Sequence, residues 1–187
     1  MIRVNIAVYC GSNHGENEKY TKEAKKLGEA IVKSELGVVY GGATVGLMGE
    51  VAKSALRAGG HVTGVMPKAL ANLEITLHEA SIIIMTSTMH ERKQEMFERS
   101  RAFIALPGGI GTLEEIVEVW TWAKIGIHKK PIGLINIDGY YDYFLQFIET
   151  MKKEGFLKEE DVTPLVVGET AEEVVTKITS ILNEQNN

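Results

Sequence analysis

The chain has one cysteine, Cys10, which excludes a disulfide within the chain and suits a reducing compartment. It has no apolar run approaching the roughly 18 residues that a membrane-spanning helix needs. The stretch from Met1 to Cys10 lacks a cleavage-type leader, so residence in the cytoplasm is expected. Positive charge is not in excess: 20 Lys and Arg stand against 25 Asp and Glu, a formal net charge of -5. That balance argues against a sequence-independent grip on DNA or RNA and leaves room only for a local basic pocket. No linker, internal repeat or low-complexity tract interrupts the 187 residues, a length that suits a single domain over 1–187 with a sizeable core.

Several motifs are missing as well. Gly109-Ile110-Gly111 lacks the third glycine of the dinucleotide fingerprint, Gly41-Gly42 with Gly46 has the wrong spacing, and the strand ending at Tyr40 carries no acidic residue for a ribose hydroxyl. There is no GxxxxGK[ST], so a triphosphate-binding P-loop is excluded. The five histidines (His14, His61, His78, His90 and His128) are scattered, without metal-ligand spacing, and no metal or cofactor is expected. Ser12, Ser87 and Ser100 have no nucleophile-elbow context, and Cys10 reads as a small buried residue.

What is present alternates. Short apolar runs at 4–10, 37–40, 61–66, 81–85, 102–106, 131–136 and 165–167 read as strands, bounded by glycines or polar residues. Between them 16–34, 47–57, 88–100, 112 onward, 140–153 and 171–182 have helical periodicity, the last opened by Thr170 and Glu173 in capping-box spacing. Strands without period-two alternation, each followed by a helix, predict an α/β fold: a Rossmann-like, doubly wound parallel sheet of about seven strands with helices on both faces. Ligands in such sheets bind beyond the carboxyl ends of the strands. The glycine-bearing turns after Cys10, Tyr40 and Leu106 fall at that edge and are expected to line one cleft.

The organising stretch is Arg101 to Trp122. A buried strand breaks at Pro107-Gly108-Gly109-Ile110-Gly111, and a helix is expected to restart at Thr112. Strand, glycine turn and helix start in that order form an anion cradle, because glycines admit a ligand to the backbone and the first helical N–H groups attract negative charge. Thr112 and Glu115 have capping-box spacing, which by itself would explain both. Yet Glu115 also leads a second apolar line through Val119 and Trp122, a two-sided helix that suits a subunit contact. On the preceding helix Arg92 lies three residues after Met89 and four before Met96, beside an apolar stripe. A guanidinium there must snorkel, pair with a carboxylate or meet an anion. Tyr140, Tyr141, Phe144, Phe147 and Ile148 read as core or subunit contact.

Tyr40-Gly41-Gly42-Ala43-Thr44-Val45-Gly46-Leu47-Met48-Gly49, Met89-His90-Glu91-Arg92-Lys93 and Pro107-Gly108-Gly109-Ile110-Gly111-Thr112-Leu113-Glu114-Glu115 resemble, in order and spacing, the Lonely Guy (LOG) family of cytokinin-activating phosphoribohydrolases. Relatives were long labelled lysine decarboxylases, but no pyridoxal-phosphate signature is present here. The resemblance implies hydrolysis of the N-glycosidic bond of a nucleoside 5′-monophosphate, AMP or N6-prenylated AMP, to a free base and ribose 5-phosphate. It implies Arg92 and Glu115 as the catalytic pair and a homodimer. It implies substrate binding by Gly11, Ser12, Gly41, Gly42, Glu74, Met89, Lys93, Pro107, Gly108, Gly109, Ile110, Gly111, Thr112 and Thr121, the phosphate resting on 109–112. Some relatives of the fold are proposed to carry molybdenum cofactor, so a non-catalytic carrier or sensor stays open, as does a salvage hydrolase acting on AMP.

Overall fold

A computed structural model describes residues 4–71, 79–162 and 164–185. Seven strands form one parallel sheet in the order β4-β3-β2-β1-β5-β6-β7. They are β1 (Asn5–Tyr9), β2 (Gly37–Tyr40), β3 (Val62–Pro67), β4 (Ile82–Thr86), β5 (Ala102–Ala105), β6 (Ile132–Ile135) and β7 (Leu165–Gly168). The helices are α1 (Glu18–Lys33), α2 (Gly46–Arg57), α3 (Lys68–Ala71), α4 (Met89–Glu98), α5 (Ile110–Lys124), α6 (Asp142–Lys153), α7 (Glu159–Val162) and α8 (Ala171–Gln185). The doubly wound parallel sheet expected from the alternation is therefore what forms. α3 and α7, each a single turn, have no counterpart in the sequence pattern.

Strand side chains alternate between two cores. On one face Ile6, Val8 and Cys10 pack with Leu27 and Ile31 of α1, Leu47 and Val51 of α2, and Val174 and Ile178 of α8. On the other, Ala7 and Tyr9 pack with Met96 of α4, Ile116, Val119 and Trp120 of α5, and Ile148 of α6. Strands covered on both faces need apolar side chains at every position, which is why these runs lack period-two patterning. Fully burying Leu27 or Ile31 stabilises by about 1.5–3 kcal/mol each. A carboxylate also serves the fold on the α1 face. Glu23, mostly buried, accepts the first N–H of α8 from Ala171 at 2.6 Å.

Chain order sets the location of the site. From β1 the sheet grows outward through β2 and β3 to β4; then α4 carries the chain back, and β5 pairs with the free side of β1. Growth reverses at β1 and β5, so their carboxyl ends diverge into a crevice at the topological switch point. Gly11 and Pro107 meet there, the Gly11 N–H donating to the Pro107 carbonyl at 3.1 Å.

Candidate active site

The helix behind the glycine turn starts earlier than its sequence suggests. α5 begins at Ile110 with Gly109 as N-cap, and no side chain caps it. Thr112 is therefore the third residue of the helix, buried with its hydroxyl against Gly108, and the capping box with Glu115 does not form. A threonine is a more persuasive sequence signal than a glycine whose backbone alone makes the turn. α4 shows what a side-chain cap looks like: Thr88 Oγ1 accepts from the Glu91 N–H at 3.1 Å, and Glu91 Oε2 accepts from the Ser87 N–H at 2.6 Å.

Released from capping, Glu115 faces Arg92. Arg92 Nη1 donates to Glu115 Oε1 at 2.6 Å, with side-chain exposures of only 10% and 11%. Arg92 Nε donates to the Val65 carbonyl near the end of β3, 3.3 Å away. A Cβ at Gly41 would overlap Arg92 Nη2, so this glycine gives the guanidinium its seat against the β2 turn. Arg92 thus neither snorkels nor stands alone; it pairs with a carboxylate at the edge of a cleft. Burial pushes the Glu115 carboxyl pKa up, and the adjacent Arg92 guanidinium pulls against it without cancelling it. Because Glu115 is six residues into α5, the helix dipole, which fades beyond the first turn, does not dominate its titration.

Around the pair lies a cavity of about 350 Å³ lined by Gly11, Ser12, Gly41, Met48, Met89 and the turn from Gly109 to Thr112. The three glycine turns therefore converge. A second cavity of about 260 Å³, which shares Gly11, Ser12 and Gly109, continues past Pro107 and Gly108 to Tyr20 and Tyr140. At Gly109 and Gly111 an added Cβ would meet no atom within 4 Å. The fold itself does not require glycine at these two places, and the lack of side chains leaves the N-terminus of α5 open to a ligand.

Other residues singled out in the sequence stand elsewhere. Gly42, at φ +80°, makes the left-handed turn after β2 and packs near Met66 rather than lining the cavity. Lys93 ties α4 to α5 by pairing with Glu114 and, at 3.0 Å, Glu118. Burial lowers its pKa, but the two carboxylates outweigh that and hold it above the ordinary lysine value. Thr121 is exposed on the outer side of α5, donating to the Val117 carbonyl at 2.7 Å and bordering a groove with Trp120 and Phe147. It lies about 16 Å along the helix from Ile110, so the chain does not bring it to this cleft. Glu74 and His78 lie outside the described residues. Among the described residues no group of three or more His, Cys, Asp or Glu side chains gathers as metal ligands would. Burial pushes the Cys10 thiol far above its usual range, which makes it inert.

Sequence reasoning missed the work of Tyr140 and Tyr141, whose hydroxyls donate to the carbonyls of Gly108 and Leu106 at 2.6 and 2.7 Å. The available signal was general: a tyrosine in a core seeks a partner for its hydroxyl.

Fold and site together define a Rossmann-like α/β protein with an open helix N-terminus at the switch point and a buried acid–guanidinium pair beside it. The family model described as "Possible lysine decarboxylase" matches residues 48–178. The chain is 46% identical to cytokinin riboside 5′-monophosphate phosphoribohydrolase LOG5 of Arabidopsis thaliana over 92% of its length and 76% of that protein's. It is 47% identical to the phosphoribohydrolase LOG of Oryza sativa subsp. japonica, over 96% of this chain and 74% of that one. The chain belongs to the LOG family. Among solved structures, a molybdenum cofactor binding protein from Rippkaea orientalis matches with TM-score 0.74 and 22% identity, covering 97% of this chain and 99% of that one. The molybdenum cofactor carrier protein of Chlamydomonas reinhardtii matches with TM-score 0.73 and 20% identity over 97% and 99%. At that identity the likeness is one of fold.

Proposed function

We propose that the chain hydrolyses the N-glycosidic bond of nucleoside 5′-monophosphates, cytokinin nucleotides among them, releasing an adenine-type base and ribose 5-phosphate. The observation that carries this reading is the Arg92–Glu115 pair, 2.6 Å apart at the edge of the cleft that opens onto the N-terminus of α5. The 5′-phosphate sits on the N–H groups of 109–112, and the sugar then reaches toward Glu115. As the bond from C1′ to the base breaks, positive charge grows on the sugar, and an ionised Glu115 stabilises it and takes a proton from the attacking water. The water oxygen bonds to C1′ as its proton passes to Glu115, and the base leaves with the bonding pair and takes a proton from solvent. Glu115 releases its own proton to solvent, which restores the carboxylate. Arg92 holds the carboxylate in place, and Gly11, Ser12, Gly41 and Met89 complete the pocket.

A homodimer belongs to the same reading. It is supported by the outer face of α5 and α6, where Val117, Trp120, Phe144 and Phe147 border an apolar groove that also carries Thr121. Residence in the cytoplasm is supported by the lone buried thiol. No described helix is long and apolar enough to cross a membrane.

Incubation with AMP and with N6-isopentenyl-AMP, followed by chromatography for free base and ribose 5-phosphate, tests the reading. Release of base from either supports it, and the ratio gives the preferred base. Tight binding of both without release would replace it with a carrier.

A further inference from the structure

The cradle's backbone is held by neighbouring groups. Successive carbonyls of the turn each accept a hydrogen bond from outside it: Leu106 from the Tyr141 hydroxyl at 2.7 Å, Pro107 from the Gly11 N–H at 3.1 Å, and Gly108 from the Tyr140 hydroxyl at 2.6 Å. The next carbonyl, of Gly109, accepts from the Leu113 N–H of α5 at 3.2 Å. A trans peptide is planar, with its carbonyl and N–H pointing opposite ways. Fixing the Pro107, Gly108 and Gly109 carbonyls therefore fixes the directions of the Gly108, Gly109 and Ile110 N–H groups, while the Leu106–Pro107 peptide has no N–H and serves only as an anchor.

The weakest joint in this arrangement is the peptide between Gly108 and Gly109. Glycine on both sides leaves its plane free of the side-chain restraints that oppose rotation elsewhere. Gly108 cannot be replaced, since a Cβ there would overlap Thr112 Oγ1 and come within 2.8 Å of the Gly11 nitrogen. Were this peptide to rotate, its carbonyl would face the crevice and present negative charge to an anion. The contact on that carbonyl is the Tyr140 hydroxyl. Tyr140 is itself placed by the connector after β6, where Asp138 (φ +46°) and Gly139 (φ +76°) turn the chain. Asn136 Oδ1 accepts from the Tyr141 N–H at 2.6 Å, and the Tyr140 ring packs edge-on against Tyr20 and Tyr141.

We propose that Tyr140 is a positioning residue for phosphate recognition: its hydroxyl holds the Gly108–Gly109 peptide with its N–H toward the ligand. Tyr141, buried and bonded to Leu106, anchors the base of the same turn. The inference rests on the reading of the cleft as a nucleoside 5′-monophosphate site. It concerns the phosphate half alone, so Tyr140 acts on binding of the anion and not on the Arg92–Glu115 chemistry.

Tyr140→Phe keeps the ring and removes the one hydroxyl. With AMP or N6-isopentenyl-AMP it is expected to raise KM about five- to tenfold, the worth of one hydrogen bond, with kcat within about twofold of the parent. Calorimetric Kd values for ribose 5-phosphate and for inorganic phosphate should rise by the same factor, with the melting temperature unchanged. Tyr143→Phe, at an exposed tyrosine on the first turn of α6, is the control and should change nothing. Unchanged KM and phosphate affinity in Tyr140→Phe would overturn the proposal. A lowered melting temperature with kcat and KM both impaired would overturn it too, by showing a structural role. The calorimetric comparison needs no turnover: a parent protein that binds ribose 5-phosphate but releases no base sinks the enzymatic reading while still deciding the role of Tyr140.

Discussion

Arg92 and Glu115 each carry a group that is costly to remove from water alone, and each is nearly covered because the other is there. Glu115→Gln removes the charge but keeps a side chain that can face Arg92, and Arg92→Ala removes the partner. Each is expected to lower turnover by about 10²–10³-fold in a protein that still folds, measured as base released per enzyme with circular dichroism as the check. Gly41→Ala tests the seat of the guanidinium. The new methyl displaces Arg92, and a displacement of about an ångström can cost up to about 10²-fold in rate. The Glu115 carboxyl, raised by burial, takes up a proton at higher pH than an ordinary glutamate. As pH falls through that raised value its charge is lost, so the acid limb of kcat/KM should include a midpoint above the ordinary value of 4.5. The sign for stability is the reverse: folding favours the protonated form, so this group's contribution is fully present below its unfolded pKa and fades as pH rises through the folded one. An acid limb at or below 4.5 would show that Glu115 is not the group whose ionisation turnover requires.

The cleft forms where the glycine turns after β1, β2 and β5 meet the helices α4, which carries Arg92, and α5, which carries Glu115. α4 is short, and its first turn is held by Thr88, so Thr88→Ala should cost about 1 kcal/mol and lower the melting temperature by about 2–4 °C in calorimetry. Strands and long helices are legible in the sequence because apolar runs closed by glycine, and stripes such as Ala24, Leu27 and Ile31, have few other readings. The convergence of the glycine turns is legible too, since alternating strands and helices place every such turn at one sheet edge. Other features depend on contacts that no local pattern encodes. The start of α5 escapes the sequence because Ile110, largely exposed, and Gly111 give no helical signal before Thr112. The pairing of Arg92 with Glu115 crosses from one helix to the next, and spacing within either helix offers only alternatives. The tyrosines bonded to the turn owe their placement to left-handed residues in the β6–α6 connector, and Lys93 is claimed by Glu114 and Glu118 of the neighbouring helix.

At the scale of the whole molecule, the central strands of the sheet are buried on both faces while α5 and α6 keep an apolar outer groove, with Phe147 59% exposed. Sedimentation equilibrium should give twice the chain mass of 20.6 kDa, and Val117→Asp with Phe147→Asp should return the single-chain mass. The parallel sheet, its switch point and the open end of α5 suit binding as well as catalysis; the proposed hydrolysis rests on the buried pair. The most direct measurement is therefore a parallel one on the parent protein and Glu115→Gln, reading binding of AMP by calorimetry and release of adenine by chromatography. The account predicts that both proteins bind AMP and that adenine release falls by about 10²–10³-fold in the variant. Equal release from the two, or binding without release in the parent, would contradict it.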